Sequence, residues 1–238
     1  MGIPRAEIDA LLKENADHDC PGDPESCVRI VAAADLPTRF GDYQVFAFWN
    51  KADHKDHAAF VHGNVLGQEN VPVRIHSECL TGDAIGSLRC DCRDQLIDAL
   101  EYIGKLDAGI VLYLRQEGRG IGFANKIKAY NLQDSGYDTV QANELLGFRP
   151  DERDYAMAAH MLGSLHVESI RILTNNPAKV KDLEQHGVRI IDRIPLVVPP
   201  NAYDRRYLET KRTRMGHLLE VEQADELIRE NGGSAHAK

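Results

Sequence analysis

No run of eighteen apolar residues occurs in the 238-residue chain, which excludes a transmembrane helix. Internal repeats and low-complexity tracts are also missing, so collagen-like and mucin-like chains are excluded. The first residues, MGIPRAEIDALLKENADHD, contain no apolar segment of the secretory type, and a cytoplasmic location is expected. There is no basic excess: 28 Lys+Arg stand against 37 Asp+Glu, a formal net charge of −9. Nucleic acid and anionic membranes are therefore poor partners. Cysteine is sparse and odd in number, at Cys20, Cys27, Cys79, Cys90 and Cys92. A disulfide framework would be denser and even, so reduced thiols are expected.

What is present is ordinary in bulk and uneven in detail. Hydrophobic residues make up 43% and charged residues 27%, enough to bury a sizeable core. Residues 1–70 carry 6 basic and 12 acidic side chains, residues 71–215 carry 20 of each, and residues 216–238 carry 2 and 5. The acid excess lies at the ends, and the neutral middle is where a site for an anionic ligand belongs.

The spacing of apolar residues predicts an amphipathic helix within the first sixteen positions, then a loop at 17–27. Strand-like runs follow at 28–34, 43–49, 57–63 and 72–77, which reads as an antiparallel opening section. From Leu88 the texture changes: a helix is expected over 88–103, a buried strand over 108–114 and a helix within 118–133. Further helices are expected in ANELLG and at 155–165 and 177–187, with strands from 168 and from 188. The fold class is α/β, a layered mixed sheet with flanking helices and an antiparallel N-terminal section. Residues 220–238 read as a frayed tail.

The densest chemistry is HSECLTGDAIGSLRCDC (76–92). Thiolates are soft ligands for zinc, and Cys79, Cys90 and Cys92 have a spacing that favours metal over simple burial. Three ligands leave a fourth position for water, whose pKa zinc lowers to about 7; His76 as a fourth ligand would close the site instead. His76-Ser77-Glu78 also matches the H-x-E of zinc deaminases, but Cys90-Asp91-Cys92 has neither their spacing nor their Pro.

RQEGRGIG (115–122) follows the predicted buried strand. It is not a dinucleotide loop, because Phe123 stands where a third Gly is needed, and no P-loop Lys follows. Glycines at a strand end beside Arg115, Arg119, Lys126 and Lys128 suit a phosphate-bearing ligand, or a tight turn among solvated charges. PDERDYA (150–156) reads alone as the acidic first turn of a helix, and TNNPAKV (174–180) as a helix cap or an anion site. His160, His166 and His186 read as surface or packing residues. His18, Cys20 and Cys27 allow a second soft metal site, with a flexible loop as the plainer reading.

Taken in order, HSECLTGD…SLRCDC, EGRGIG, NKIKAYNLQD, DERDY, LTNNPAKV and KRTRMGHLL resemble GTP cyclohydrolase II of the riboflavin pathway, from Leu36 to Leu219. The resemblance implies an N-terminal extension at 1–35, a catalytic domain at 36–219 and a tail at 220–238. It implies hydrolysis of GTP at guanine C8 by zinc-bound water and at the triphosphate. The products would be formate, pyrophosphate and 2,5-diamino-6-ribosylamino-4(3H)-pyrimidinone 5′-phosphate. One zinc per chain, Mg²⁺ with the triphosphate, and a homodimer are implied as well.

By the same resemblance, Cys79, Cys90 and Cys92 are the zinc ligands. The GTP contacts are Arg74, Ile75, His76, Ser77, Glu78, Gln95, Glu117, Gly118, Arg119, Thr139, Thr174 and Lys179. Asp151 is the proton acceptor, Arg153 the nucleophile at the α-phosphorus, and Tyr130 lies near the guanine ring. A guanidinium stays protonated, so charge stabilisation is the alternative role for Arg153. Arg93 departs from the usual Gly after CDC, which would alter a turn or add a cation. Two further readings stay open: a paralogue that opens the ring but keeps the formyl group, and a non-catalytic GTP-binding module.

Overall fold

A computed structural model describes residues 2–20, 27–199, 201, 203–216 and 218. The expected tail at 220–238 and residues 21–26 of the loop lie outside them. The chain runs α1 (Arg5–Asn15), β1 (Val28–Thr38), β2 (Gly41–Asn50), β3 (Lys55–His62), β4 (Val71–Ser77), α2 (Leu80–Asp83) and α3 (Cys92–Ile103). It continues with β5 (Gly109–Leu114), a 3-10 turn (Glu117–Gly120), α4 (Phe123–Asp134), α5 (Thr139–Leu145), α6 (Ala156–Ser164), β6 (Ile170–Leu173), α7 (Pro177–Gln185), β7 (Ile190–Ile194) and α8 (Arg205–Met215).

The strands form one mixed sheet in the order β1-β2-β3-β5-β4-β6-β7. β1, β2, β3 and β5 pair antiparallel, whereas β4 is parallel to both β5 and β6, and β6 to β7. β4 therefore leaves the antiparallel section that its place in the sequence suggests. The free edge of β3 is taken by β5, a later segment, and β4 pairs on the far side of it. That competition is between distant segments, and local alternation does not register it. The six residues Val71–His76 of β4 are all buried, as expected of a strand covered on both faces.

α6 supplies Ala158, Met161 and Leu162 to the main core, which also holds Val73, Ile75, Ile110 and Leu112 of the central strands. Ile3, Ile8 and Leu11 join the same cluster, so α1 packs on the sheet. Position 35 falls inside β1.

Two element ends differ from the sequence reading. α3 begins at Cys92 rather than at Leu88, because Ser87–Asp91 turns to bring Cys90 beside Cys79. α8 has the polar sequence RRYLETKRTRM, with no apolar stripe to announce it; Lys211 on α8 is fastened to Asp91 at 2.7 Å. The parallel strands β4, β5 and β6 all deliver their C-terminal ends to one side. A crevice outside such ends is where open α/β sheets bind ligands.

Candidate active site and metal centre

Cys79 follows β4 and Cys90 and Cys92 bracket the N-terminus of α3. Their three sulfurs lie within 4.8 Å of one another, with Cys79 and Cys90 3.7 Å apart. Tetrahedral zinc with Zn–S near 2.3 Å places sulfurs about 3.8 Å apart, so the donor set fits. Gly82 makes room for this approach. A Cβ there would stand 3.0 Å from Cys79 Sγ, 3.1 Å from Cys90 Sγ and 3.1 Å from Cys92 Cβ. Gly82→Ala is therefore expected to lower the affinity for zinc by about tenfold or more, read by competition with a chromophoric chelator; unchanged affinity would refute the crowding argument.

Hydrogen bonds from Cys90 and Cys92, together with Lys126, hold the Cys79 thiol far below its ordinary range despite burial. The Cys90 thiol is pushed up to about 11, chiefly by its bond to Cys79, and Cys92 is raised well above its usual value. Negative charge on one sulfur thus opposes ionisation of its neighbours, a cluster that a soft cation would complete. Lys126 Nζ donates to Cys79 Sγ at 3.1 Å and to Glu117 Oε1 at 2.7 Å, and Glu117 Oε2 accepts from Leu80 N–H.

His76 does not converge with the thiols. Its Nε2 faces Asp83 at 3.0 Å, and Asp83 also accepts from Tyr113 Oη and from the Cys79 backbone N–H. The three thiols converge without His76, which is the open arrangement of the two. Burial keeps His76 toward its neutral form, against the pull of Asp83.

Beside the thiols opens a cleft. One wall is cationic. Gly118 and Arg119 adopt left-handed backbone, φ 64° and 62°, within the 3-10 turn after β5. For Arg119 that conformation costs on the order of 1–2 kcal/mol, strain of the kind that collects at functional sites. Both terminal nitrogens of Arg119 are buried and lack a hydrogen-bond partner among the described residues, while its guanidinium lies over the Tyr207 ring. Arg74 donates to Leu173 O at 3.0 Å and to Gln95 Oε1 at 2.7 Å. Gln95 in turn donates to Asp91, which also holds Lys211.

Lys179, one turn into α7, donates to Ile75 O at 2.8 Å. Burial, then Arg74 and Arg153, hold its pKa well below the usual lysine range. A polyphosphate in the cleft would oppose that lowering, so binding of one at a pH above the lowered pKa is expected to take up protons. Calorimetry in buffers of different ionisation enthalpy reads this directly; uptake that persists undiminished in Lys179→Met would exclude Lys179 as the acceptor.

Arg153 donates to Asp151 through Nε at 2.8 Å and through Nη2 at 2.5 Å. Burial opposes the Arg153 charge, but Tyr155 and Asp151 outweigh it and raise the pKa above the ordinary arginine range. Burial likewise pushes Asp151 up, and the Arg153 bonds more than offset it, leaving the carboxylate below its usual value.

The cleft lining contains Arg74, Ile75, His76, Ser77, Glu78, Gln95, Glu117, Gly118, Arg119, Tyr130, Thr139, Arg153, Thr174, Lys179 and the three cysteines. Asp151 alone of the expected residues is not among those lining it, and reaches it through its pair with Arg153. Tyr130 Oη is 3.3 Å from Thr81 Oγ1, beside the thiols. Of the four cations flanking the glycines, Arg119 and Lys126 line the cleft; Arg115 pairs with Glu78, and Lys128 reaches Asn125. Arg93 lies in α3, exposed and away from the cleft, with its Nη1 against Gly86, so position 93 needs no positive φ.

Thr174 Oγ1 accepts from Asn176 N–H, and Asn176 caps α7 through Ala178 N–H, so this turn caps a helix while Lys179 enters the cleft. Lys126, Arg89, Tyr207 and Lys211 also line the wall. For Tyr207 and Lys211 the only sequence signal was their place in and near the KRTRMGHLL stretch; nothing in their spacing points at a site 120 residues upstream.

A family model described as GTP cyclohydrolase II matches residues 28–195. GTP cyclohydrolase-2 of Picrophilus torridus is 56% identical over 192 residues, covering 81% of this chain and 100% of that protein. GTP cyclohydrolase-2 of Klebsiella pneumoniae is 53% identical over 195 residues, 82% of this chain and 98% of that one. Riboflavin biosynthesis protein RibBA of Bacillus subtilis is 53% identical over 185 residues, 77% of this chain but 46% of its own length.

Proposed function

The chain belongs to the GTP cyclohydrolase II family, and we propose that it opens the guanine ring of GTP and cleaves the triphosphate. The products are formate, pyrophosphate and 2,5-diamino-6-ribosylamino-4(3H)-pyrimidinone 5′-phosphate, which commits the nucleotide to riboflavin biosynthesis. The observation that carries this reading is that one cleft joins three convergent thiols to a wall of Arg and Lys.

In this reading Cys79, Cys90 and Cys92 hold zinc, which when bound supplies hydroxide-level reactivity at neutral pH for guanine C8. Lys126 and Glu117 fix Cys79, and the Tyr130 hydroxyl, which lines the cleft beside the thiols, would face the reacting ring. Arg119, Lys179 and Arg153 take the triphosphate, brought in with Mg²⁺, and stabilise the charge that grows as pyrophosphate leaves. Arg119 suits this best, since its unpartnered nitrogens gain bonds without breaking any. Asp151 keeps Arg153 charged and aimed, which makes it a positioning residue. Gln95 and Asp91 set Arg74, while Thr139 and Thr174 border the cleft. A homodimer of cytoplasmic chains belongs to the same proposal and is read by sedimentation of the zinc-loaded protein.

The test is incubation of purified protein with GTP, zinc and Mg²⁺, with formate and pyrophosphate quantified. Equimolar formate and pyrophosphate are expected. A ring-opened product that keeps its formyl group would select the paralogue reading, and tight GTP binding without turnover the non-catalytic one.

A further inference from the structure

A second group of soft ligands lies away from the cleft, in residues the reaction does not use. His18 and Cys20 follow α1, Cys27 directly precedes β1, and His160 sits on α6; one ligand atom from each lies within 4.8 Å of the others. His18 Nε2 is 3.0 Å from His160 Nε2 and 3.2 Å from Cys20 Sγ, and Cys20 Sγ is 3.1 Å from His160 Nε2.

Hydrogen bonding does not account for such a triangle. Each imidazole Nε2 carries either one proton or one lone pair, so at most two of the three edges can hold a well-directed hydrogen bond. The third edge is at best a donor aimed past its acceptor, and in the other tautomers it sets proton against proton or lone pair against lone pair. A cation at the centre satisfies all three atoms and reaches Cys27 as a fourth ligand. Tetrahedral zinc with these donors gives edges of about 3.3–3.8 Å, a few tenths beyond those seen. His160 is also oriented for the role: Ser164 Oγ, one turn along α6, lies 3.5 Å from Nδ1. An Nδ1–H directed there leaves Nε2 with the lone pair that metal binding needs.

We propose that His18, Cys20, Cys27 and His160 hold a second, structural zinc ion. Two thiolates and two neutral imidazoles cancel the charge of Zn²⁺ and fill four positions, which leaves none for a reacting water. Three of the ligands precede residue 28, where the family match begins, and the fourth stands on a helix whose Ala158, Met161 and Leu162 are core residues. The ion would fasten the segment after α1 to that core across 142 positions of sequence. His160 is then a ligand rather than the packing residue its isolation in sequence implies.

Metal content of the full chain, purified under reducing conditions, decides this. Two zinc ions per chain are expected in the wild type, in place of the single ion that the family resemblance implies. Cys20→Ser/Cys27→Ser should retain one zinc and its formate release while melting at a lower temperature. Cys90→Ser should also retain one zinc, and after cobalt exchange should show the thiolate-to-cobalt absorption of a tetrahedral S₂N₂ site. That variant leaves the second site intact, so the experiment stands even if the double variant fails to fold. One zinc in the wild type and none in Cys90→Ser would overturn the proposal, as would a Cys20–Cys27 disulfide in metal-replete protein. Neither result touches the assignment of the cleft, which is read by formate release.

Discussion

Cys90→Ser is expected to cost one zinc ion per chain and to lower formate release by more than about 100-fold. Outer partners of metal ligands already cost about 10–100-fold when removed, and loss of a ligand costs more. A hydroxyl cannot replace the soft thiolate, and Cys79 with Cys92 alone would leave the ion two-coordinate on the protein side. The fold should survive, because Cys90 contributes to neither hydrophobic cluster. Metal analysis with formate quantification on protein of unchanged circular dichroism reads the effect. Full turnover by a variant short of that zinc would refute the metal role. Adding a chelator to the wild type should reproduce the loss, and added zinc should reverse it.

Arg153→Ala is expected to lower pyrophosphate release by about 10²–10³-fold, the usual consequence of removing one charge-stabilising donor. Arg153→Lys should recover part of that, because an ammonium keeps the charge but not the bidentate fork to Asp151. Asp151→Asn should fall between wild type and Arg153→Ala, since it loosens Arg153 without removing the cation. The raised pKa of Arg153 underlies this ranking: a guanidinium held more firmly protonated than usual has no lone pair to offer phosphorus. A nucleotidyl adduct on Arg153, trapped and located by mass spectrometry, would refute the electrostatic role. Arg153→Lys that opens the ring but releases no pyrophosphate would count the same way.

Both variants bear on residues that were legible in the sequence to different depths. Cys79, Cys90 and Cys92 stand within fourteen positions, and thiolate chemistry at that spacing narrows the ligand with no fold in hand. Arg153 and Asp151, two residues apart, were legible as a charged pair but not as partners; PDERDYA has the look of a helix's acidic first turn. Most helices and strands were legible too, from apolar period and from caps such as Asn176-Pro177 before α7. α8 was not, because its contacts run through Tyr207 and Lys211 to distant partners rather than through an apolar stripe.

Local chemistry therefore settled the class: an acidic α/β chain with a three-thiol motif and glycines beside cations, in the order of one enzyme family. Those signals survive in one dimension because ligand spacing, helix period and turn residues act over a few positions. Tertiary structure decided the rest. β5 displaces β4 from β3, Asp83 pairs with His76, and Asp151 pairs with Arg153. His160 meets His18, Cys20 and Cys27 across most of the chain. Each outcome is a competition among groups far apart in sequence, won by whichever partner the packed core carries within reach.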